Sequence, residues 1–234
     1  MHIVLIPGLW LDGSSWDRVI PVLERAGHTT HPLTLPGLES RDADRSAVTL
    51  QDHIDAVVAA VDAVPEDEGK VLVVGHSMGS ALAYLAADAR PDHVARTVYI
   101  GGFPARDGEP LGNFPAENGE IPLPTWEDIG EDDLKDLDDA ARADFRARAV
   151  PSPQRFATDP VRLTDERRYD VPVTVICPEF SAAQLREWID AGEPSVQEFT
   201  RLRDVEYVDL PTGHWPQFSR PDELGRAIDA AAAK

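Results

Sequence analysis

The sequence predicts an α/β fold in which helices flank a mostly parallel sheet, and three observations predict it. Short apolar runs alternate with amphipathic stretches over the first hundred residues, the pattern of strand–helix–strand units. The same alternation resumes after residue 170. Between them the pattern breaks once, over residues 104–170, which hold several prolines and no convincing strand. A structureless loop of that length is improbable inside a compact domain, so the break reads as a small helical cap inserted between two sheet strands. The expected organisation is a core of residues 1–103 and 171–234 with a cap of residues 104–170.

Along the chain, His2 to Ile6 reads as a buried strand, and residues 13–27 as a helix closed by Gly27. Pro21 either kinks that helix or marks its second start. HTTHPLTLPG reads as another strand, followed by a polar loop to Ala47. Leu50, Ile54, Val57, Val58, Val61 and Val64 fall at helical spacing, with Thr49 in place as N-cap. Residues 71–74 read as a strand, 78–90 as a helix and 94–100 as a strand. In the cap, EDDLKDLDDAARADFRARAV reads as an acidic helical stretch. VPVTVICPE, a helix around Leu185, VEYVDL and a helix from Pro221 complete the fold, with Ser219 as that last helix's expected cap.

Composition narrows the function. The chain has 234 residues, 42% of them apolar, enough for a core in one large domain or one domain with an insertion. Its formal charge is −20, from 42 acidic and 22 basic residues, which argues against nucleic acid and anionic membranes as partners. Cys177 is the only cysteine, so neither a disulfide framework nor a cysteine-rich metal site is expected. No 18-residue apolar run suits a transmembrane helix, and MHIVLIPG breaks too soon for a signal peptide. Cytoplasmic residence is the expectation.

The chemistry concentrates at VLVVGHSMGSA. Gly75-His76-Ser77-Met78-Gly79 fits G-x-S-x-G, with a buried strand before it and a small-residue helix after it. A strand turning that sharply into a helix strains its middle residue and exposes the side chain, while glycines on either side remove groups that would collide. Ser77 thus reads as a nucleophile at a helix N-terminus, where backbone N–H groups favour developing negative charge. His214, in the loop after VEYVDL, is the candidate base, because parallel strands end on one side of a sheet. His28, His31, His53 and His93 lie in elements with no such placement, and His76 should pack beneath the serine. The N–H of Met78 and that of Leu9, in the loop IPGLW, are the candidate oxyanion donors. Trp10 is a candidate pocket wall.

With these motifs the chain resembles the α/β-hydrolases, and among them the compact esterases that include plant methyl-ester esterases and hydroxynitrile lyases. VLIPGLWLDGSSW, VVGHSMGSA, YIGGFPARDG and DLPTGHW carry the resemblance across nearly the whole chain. It implies an α/β-hydrolase fold, a Ser–acid–His triad, a cap shaping an apolar pocket and no cofactor. Such enzymes usually read His-Gly in the first loop, where this chain reads Pro7-Gly8. Because the chain begins at its first central strand, the usual leading antiparallel hairpin is not expected. Relatives commonly carry an aspartate after the strand matching VTVICPEFS; here Glu179 is the only carboxylate of that stretch. Others place the acid one strand earlier, where Gly101 and Gly102 stand and Asp107 follows. Glu179 is therefore the first choice of acid and Asp107 the second, beside the reading that no conventional acid is present.

The expected function is a serine hydrolase that cleaves a small-molecule carboxylic ester or lactone through an acyl-enzyme, with Trp10, Phe103, Trp126 and Trp215 as pocket candidates. Serine at the elbow excludes the aspartate chemistry of haloalkane dehalogenases and epoxide hydrolases. C–C lysis of the hydroxynitrile lyase type is a weaker alternative, since plant members have lysine where Trp215 stands. A non-catalytic small-molecule-binding protein is the other alternative.

Overall fold

A computed structural model describes all residues 1–234. In chain order its elements are β1 His2–Ile6, α1 Ile20–Arg25, β2 Thr29–Pro32, α2 Leu50–Asp62, β3 Val71–His76, α3 Met78–Ala89, β4 Val94–Ile100, β5 Glu120–Ile121, α4 Asp139–Arg148, β6 Ser152–Pro153, α5 Gln154–Thr158, β7 Val173–Cys177, α6 Ala182–Asp190, β8 Val205–Asp209, α7 Pro216–Ser219 and α8 Pro221–Ala232. Six strands form one sheet in the order β2-β1-β3-β4-β7-β8, and every neighbouring pair in it is parallel. Each strand must therefore return through a crossover, which sets helices on both faces.

The residues alternate between those two faces as the strand period requires. Val4, Ile6, Val71, Val73, Tyr99, Val173 and Val175 pack with residues of α2, α3 and α6 on one side. Ile3, Leu5, Leu72, Val74, Val98, Ile100 and Ile176 pack with Leu23 of α1 and with Leu224 and Ile228 of α8 on the other. The unbroken apolar runs Ile3–Ile6 of β1 and Val71–Val74 of β3 are thus the sequence's way of specifying strands covered on both sides. Helix α2 starts where expected: the Thr49 hydroxyl accepts from Asp52 N–H, and the Asp52 carboxylate accepts in turn from Thr49 N–H. No helix is long and apolar enough to cross a membrane.

Three local expectations are corrected. Residues 13–27 do not form one helix: a 3-10 turn at Gly13–Trp16, N-capped by Asp12, precedes α1, and Pro21 stands in its first turn. Proline lacks the N–H an uninterrupted helix would need there, so it marks a second start. Ser219 does not cap the last helix; it ends α7, its hydroxyl donates to the Trp215 carbonyl, and Arg220 occupies the N-cap position of α8. The stretch from residue 131 is not continuously helical either. Asp136 is left-handed at φ 66°, and α4 begins only after Asp138, whose carboxylate accepts from Ala141 N–H.

Residues 101–172 contribute no strand to the six-stranded sheet. They contain α4, α5 and the antiparallel pair β5–β6, in which Ile121 faces Ser152. Leu134, Leu137, Phe145 and Ala149 of this segment make a small core with Leu11 and Trp215. The segment is thus less helical than its composition suggests, and it packs directly on the loops that follow β1 and β8.

Candidate active site

The loops after β1, β3, β7 and β8 meet at the C-terminal edge of the sheet, where open parallel sheets bind their ligands. Ser77 follows β3 with φ 53° and ψ −124°. For a residue other than glycine this left-handed conformation costs on the order of 1–3 kcal/mol and persists only where its surroundings enforce it. They do: Ser77 N–H donates to the Ile100 carbonyl at 2.8 Å and its carbonyl accepts from Ser80 N–H at 2.9 Å. Gly75 is required for closeness, because a Cβ there would lie 2.0 Å from the Gly79 carbonyl oxygen. Met78, the first residue of α3, has an N–H with no acceptor inside the helix.

After β1 the chain turns through Gly8 and Leu9 into Trp10, which is left-handed at φ 66°. Leu9 is buried, and its N–H donates to no other backbone group. Both Leu9 and Trp10 line a cleft of about 850 Å³ together with Ser77, Glu179, His214 and Trp215. The far walls are Phe114, Ile121, Leu123 and Ile129 from residues 101–172. The charged lining residues are Asp128, Asp133 and Glu179; no lysine or arginine lines the cleft.

His214 lies in the loop after β8. Its Nδ1 is 2.8 Å from Glu179 Oε1, with both side chains largely buried. Since a carboxylate can only accept, the imidazole donates from Nδ1, which leaves Nε2 free to act as a base. Gly101, at φ 56°, keeps the space beside this pair open: a Cβ there would stand 3.1 Å from Glu179 Oε2 and 3.3 Å from His214 Nδ1. No hydrogen bond joins the Ser77 hydroxyl to His214 in this structure, and such contacts often tighten only once substrate binds. Beneath them His76 is fully buried, and its Nε2 donates to the His214 carbonyl at 2.7 Å. Burial, and then the neighbouring His214, hold its imidazole down to about 3, so it is neutral at ordinary pH.

The other expected site residues lie elsewhere. Asp107 is exposed and its carboxylate accepts from Leu163 N–H at 2.9 Å, so it does not partner His214. Trp126 does not line the cleft; its ring packs at a tilt against Phe145 and lies under the Arg146 guanidinium, which its place in the segment's own core dictates. Phe103 packs on Phe180 and Phe199 and lines a separate cavity of about 260 Å³, which Ser77 and Met78 also border. Cys177 is buried at the end of β7, its thiol pushed up to about 12 chiefly by burial, and so is inert as a nucleophile.

Sequence reasoning missed Asp133. Its carbonyl accepts His214 N–H at 2.8 Å, and burial holds its carboxyl above the usual carboxylate range. Asp133, Glu179 and His214 each bring one donor atom within 4.8 Å of the others, a spacing that could also hold a cation. The Glu179 bond already commits the Nδ1 proton of His214. Nothing in EDDLKDLDD distinguishes Asp133 from its acidic neighbours, so no signal could have found it.

Comparisons with known proteins agree with this fold. Residues 3–227 match the family model described as the alpha/beta hydrolase family, and the chain belongs to that family. It is 26% identical to methylesterase 7 of Arabidopsis thaliana over 246 aligned positions, covering 94% of this chain and 92% of that protein. It is 27% identical to a pyrethroid hydrolase of Sphingobium wenxiniae, covering 97% and 85%. Among solved structures, an extracellular alpha/beta-hydrolase from a Paenibacillus species superposes with a TM-score of 0.77 at 21% identity, covering 99% of this chain and 98% of that one. A pyrethroid hydrolase from Sphingobium faniae superposes at 0.70 with 22% identity, covering 100% and 97%. The family match makes the chain an alpha/beta hydrolase, and the structural neighbours share its fold.

Proposed function

We propose that the protein cleaves uncharged, apolar small-molecule carboxylic esters through an acyl-enzyme, with Ser77 as nucleophile, His214 as base and Glu179 as the orienting acid. The observation that carries this reading is the 2.8 Å His214–Glu179 hydrogen bond in the cleft that the strained Ser77 borders. Ser77 Oγ attacks the ester carbonyl as its proton passes to His214 Nε2. The N–H groups of Leu9 and Met78 hold the developing oxyanion, and Glu179 stabilises the imidazolium through Nδ1. Collapse expels the alkoxide, which takes the proton back from His214. Water then attacks the acyl group, passing its own proton to His214, and the acid leaves as Ser77 regains its hydrogen.

The substrate class follows from the lining. Leu9, Trp10, Phe114, Ile121, Leu123, Ile129 and Trp215 suit an apolar group, while Asp128 and Asp133 disfavour a carboxylate near the reacting carbon. The relatives named as methylesterases and pyrethroid hydrolase support esters as the class. The test is turnover of p-nitrophenyl acetate and butyrate. Ser77→Ala should abolish it, Glu179→Gln should lower kcat by about 10²-fold or more, and Asp107→Asn should leave it near wild type. Full activity in Ser77→Ala or in Glu179→Gln contradicts the assignment.

A further inference from the structure

We propose that Ser152, on β6, is a positioning residue for the oxyanion hole: its hydroxyl holds the Trp10 amide and with it the left-handed turn that presents Leu9 N–H to Ser77. The inference rests on the ester-hydrolase reading above and adds a residue that does not itself line the cleft.

Three hydrogen bonds fix Trp10, and all three come from the segment between β4 and β7. Trp10 N–H donates to Ser152 Oγ at 2.9 Å, the Trp10 carbonyl accepts from Val150 N–H at 3.0 Å, and the indole Nε1–H donates to the Ile121 carbonyl at 3.1 Å. Ile121 and Ser152 face each other across the β5–β6 pair, so this two-stranded sheet grips both the backbone and the side chain of one residue. Ser152 is completely buried, where a polar side chain without a job would be replaced at a profit in stability. A tryptophan at φ 66° has no intrinsic reason to stay there, and it stays because these bonds over-determine it.

The consequence passes to Leu9. Its amide lies between β1, fixed in the sheet at Ile6, and Trp10, fixed by β5 and β6. Gly8 presses the same turn onto the elbow, since a Cβ at Gly8 would stand 2.9 Å from Ser77 Cβ. If Trp10 relaxed toward the ordinary backbone region, the Leu9–Trp10 peptide would rotate, Leu9 would turn about its own backbone bonds to follow, and the Gly8–Leu9 peptide that carries the Leu9 N–H would lose its aim. Val150 and Ile121 contribute backbone atoms, which substitution cannot remove, so Ser152 Oγ is the one side-chain group outside Trp10 itself through which this hold can be tested.

The experiment compares wild type, Ser152→Ala and Ser152→Thr, each first shown to be folded by its thermal transition. In Ser152→Ala the Trp10 amide should exchange with solvent deuterium at least ten times faster, as read by NMR. With p-nitrophenyl butyrate, kcat should fall by about 10²-fold with KM within about threefold, the signature of losing one oxyanion donor. Affinity for a trifluoromethyl ketone, which presents a tetrahedral oxyanion, should fall in step with kcat. Ser152→Thr, which keeps the hydroxyl, should recover most of the loss. Unchanged Trp10 exchange overturns the proposal, as does a loss expressed in KM with kcat intact. If wild type turned over no ester, the functional reading would fail on its own, and Trp10 exchange would still decide whether Ser152 holds this turn.

Discussion

His76 shows how one residue can serve the site without entering the cleft. It ends β3 directly before the nucleophile, fully buried, donating from Nε2 to the His214 carbonyl and accepting from Gln217 Nε2 at 3.3 Å. Its folded-state value of about 3 lies below the unfolded 6.5, so the unfolded chain binds a proton that the folded chain refuses. Its contribution is therefore complete above pH 6.5 and is lost as pH falls from 6.5 toward 3. Replacing it by glutamine, which can still donate to the His214 carbonyl, should flatten the fall of Tm between pH 6.5 and 4.5; an unchanged slope contradicts the assignment. At this scale Ser77 and His214 were legible because a local pattern and a strand-end position announce them. Glu179 was legible only as the one carboxylate in its stretch. Asp133, Ser152 and the inward turn of Trp126 were not, because each depends on the path that residues 101–172 take through space.

At the scale of elements, α3 is the support on which the elbow rests. Eleven of its twelve residues are buried, so it reads as apolar on every side, as a helix in the middle of a domain should. Its end is tied by Asp88, whose carboxylate accepts from Thr164 N–H and Asp165 N–H near 3.0 Å and pairs with Arg168 at 3.1 Å. Tyr84 and Glu198 complete this buried network around Arg168. Asp88→Ala would leave two backbone donors and part of a buried guanidinium without their acceptor. It should cost about 3 kcal/mol, read as a shift of the urea midpoint at constant m-value. A loss below about 1 kcal/mol would show that Arg168 is satisfied without it. Strands and long helices were plain in the sequence because their apolar period is local. The choice between kink and second start at Pro21, the cap of α8 and the short α4 were not, since caps and left-handed turns such as Asp136 decide boundaries without altering that period.

Over the whole molecule, the parallel sheet brings four loops to one edge, and the segment between β4 and β7 then grips two of them. Its β5–β6 pair holds the loop after β1 through Trp10, and its Asp133 carbonyl holds the loop after β8 through His214 N–H. The sheet itself was legible from alternation alone; this grip was not, since it joins residues more than 70 positions apart. The acidic balance of −20 carries into the cleft, whose charged lining is acidic throughout, consistent with uncharged ester substrates.

The central claim is that Ser77, His214 and Glu179 act as one unit, and trapping the nucleophile tests it most directly. Intact-mass and peptide-mass analysis after exposure to a fluorophosphonate should show one adduct, on Ser77. It should form rapidly in wild type, about 10²-fold or more slowly in Glu179→Gln, and not at all in His214→Ala on the same timescale. A folded wild-type protein that takes up no label, or is labelled at another residue, would contradict the account.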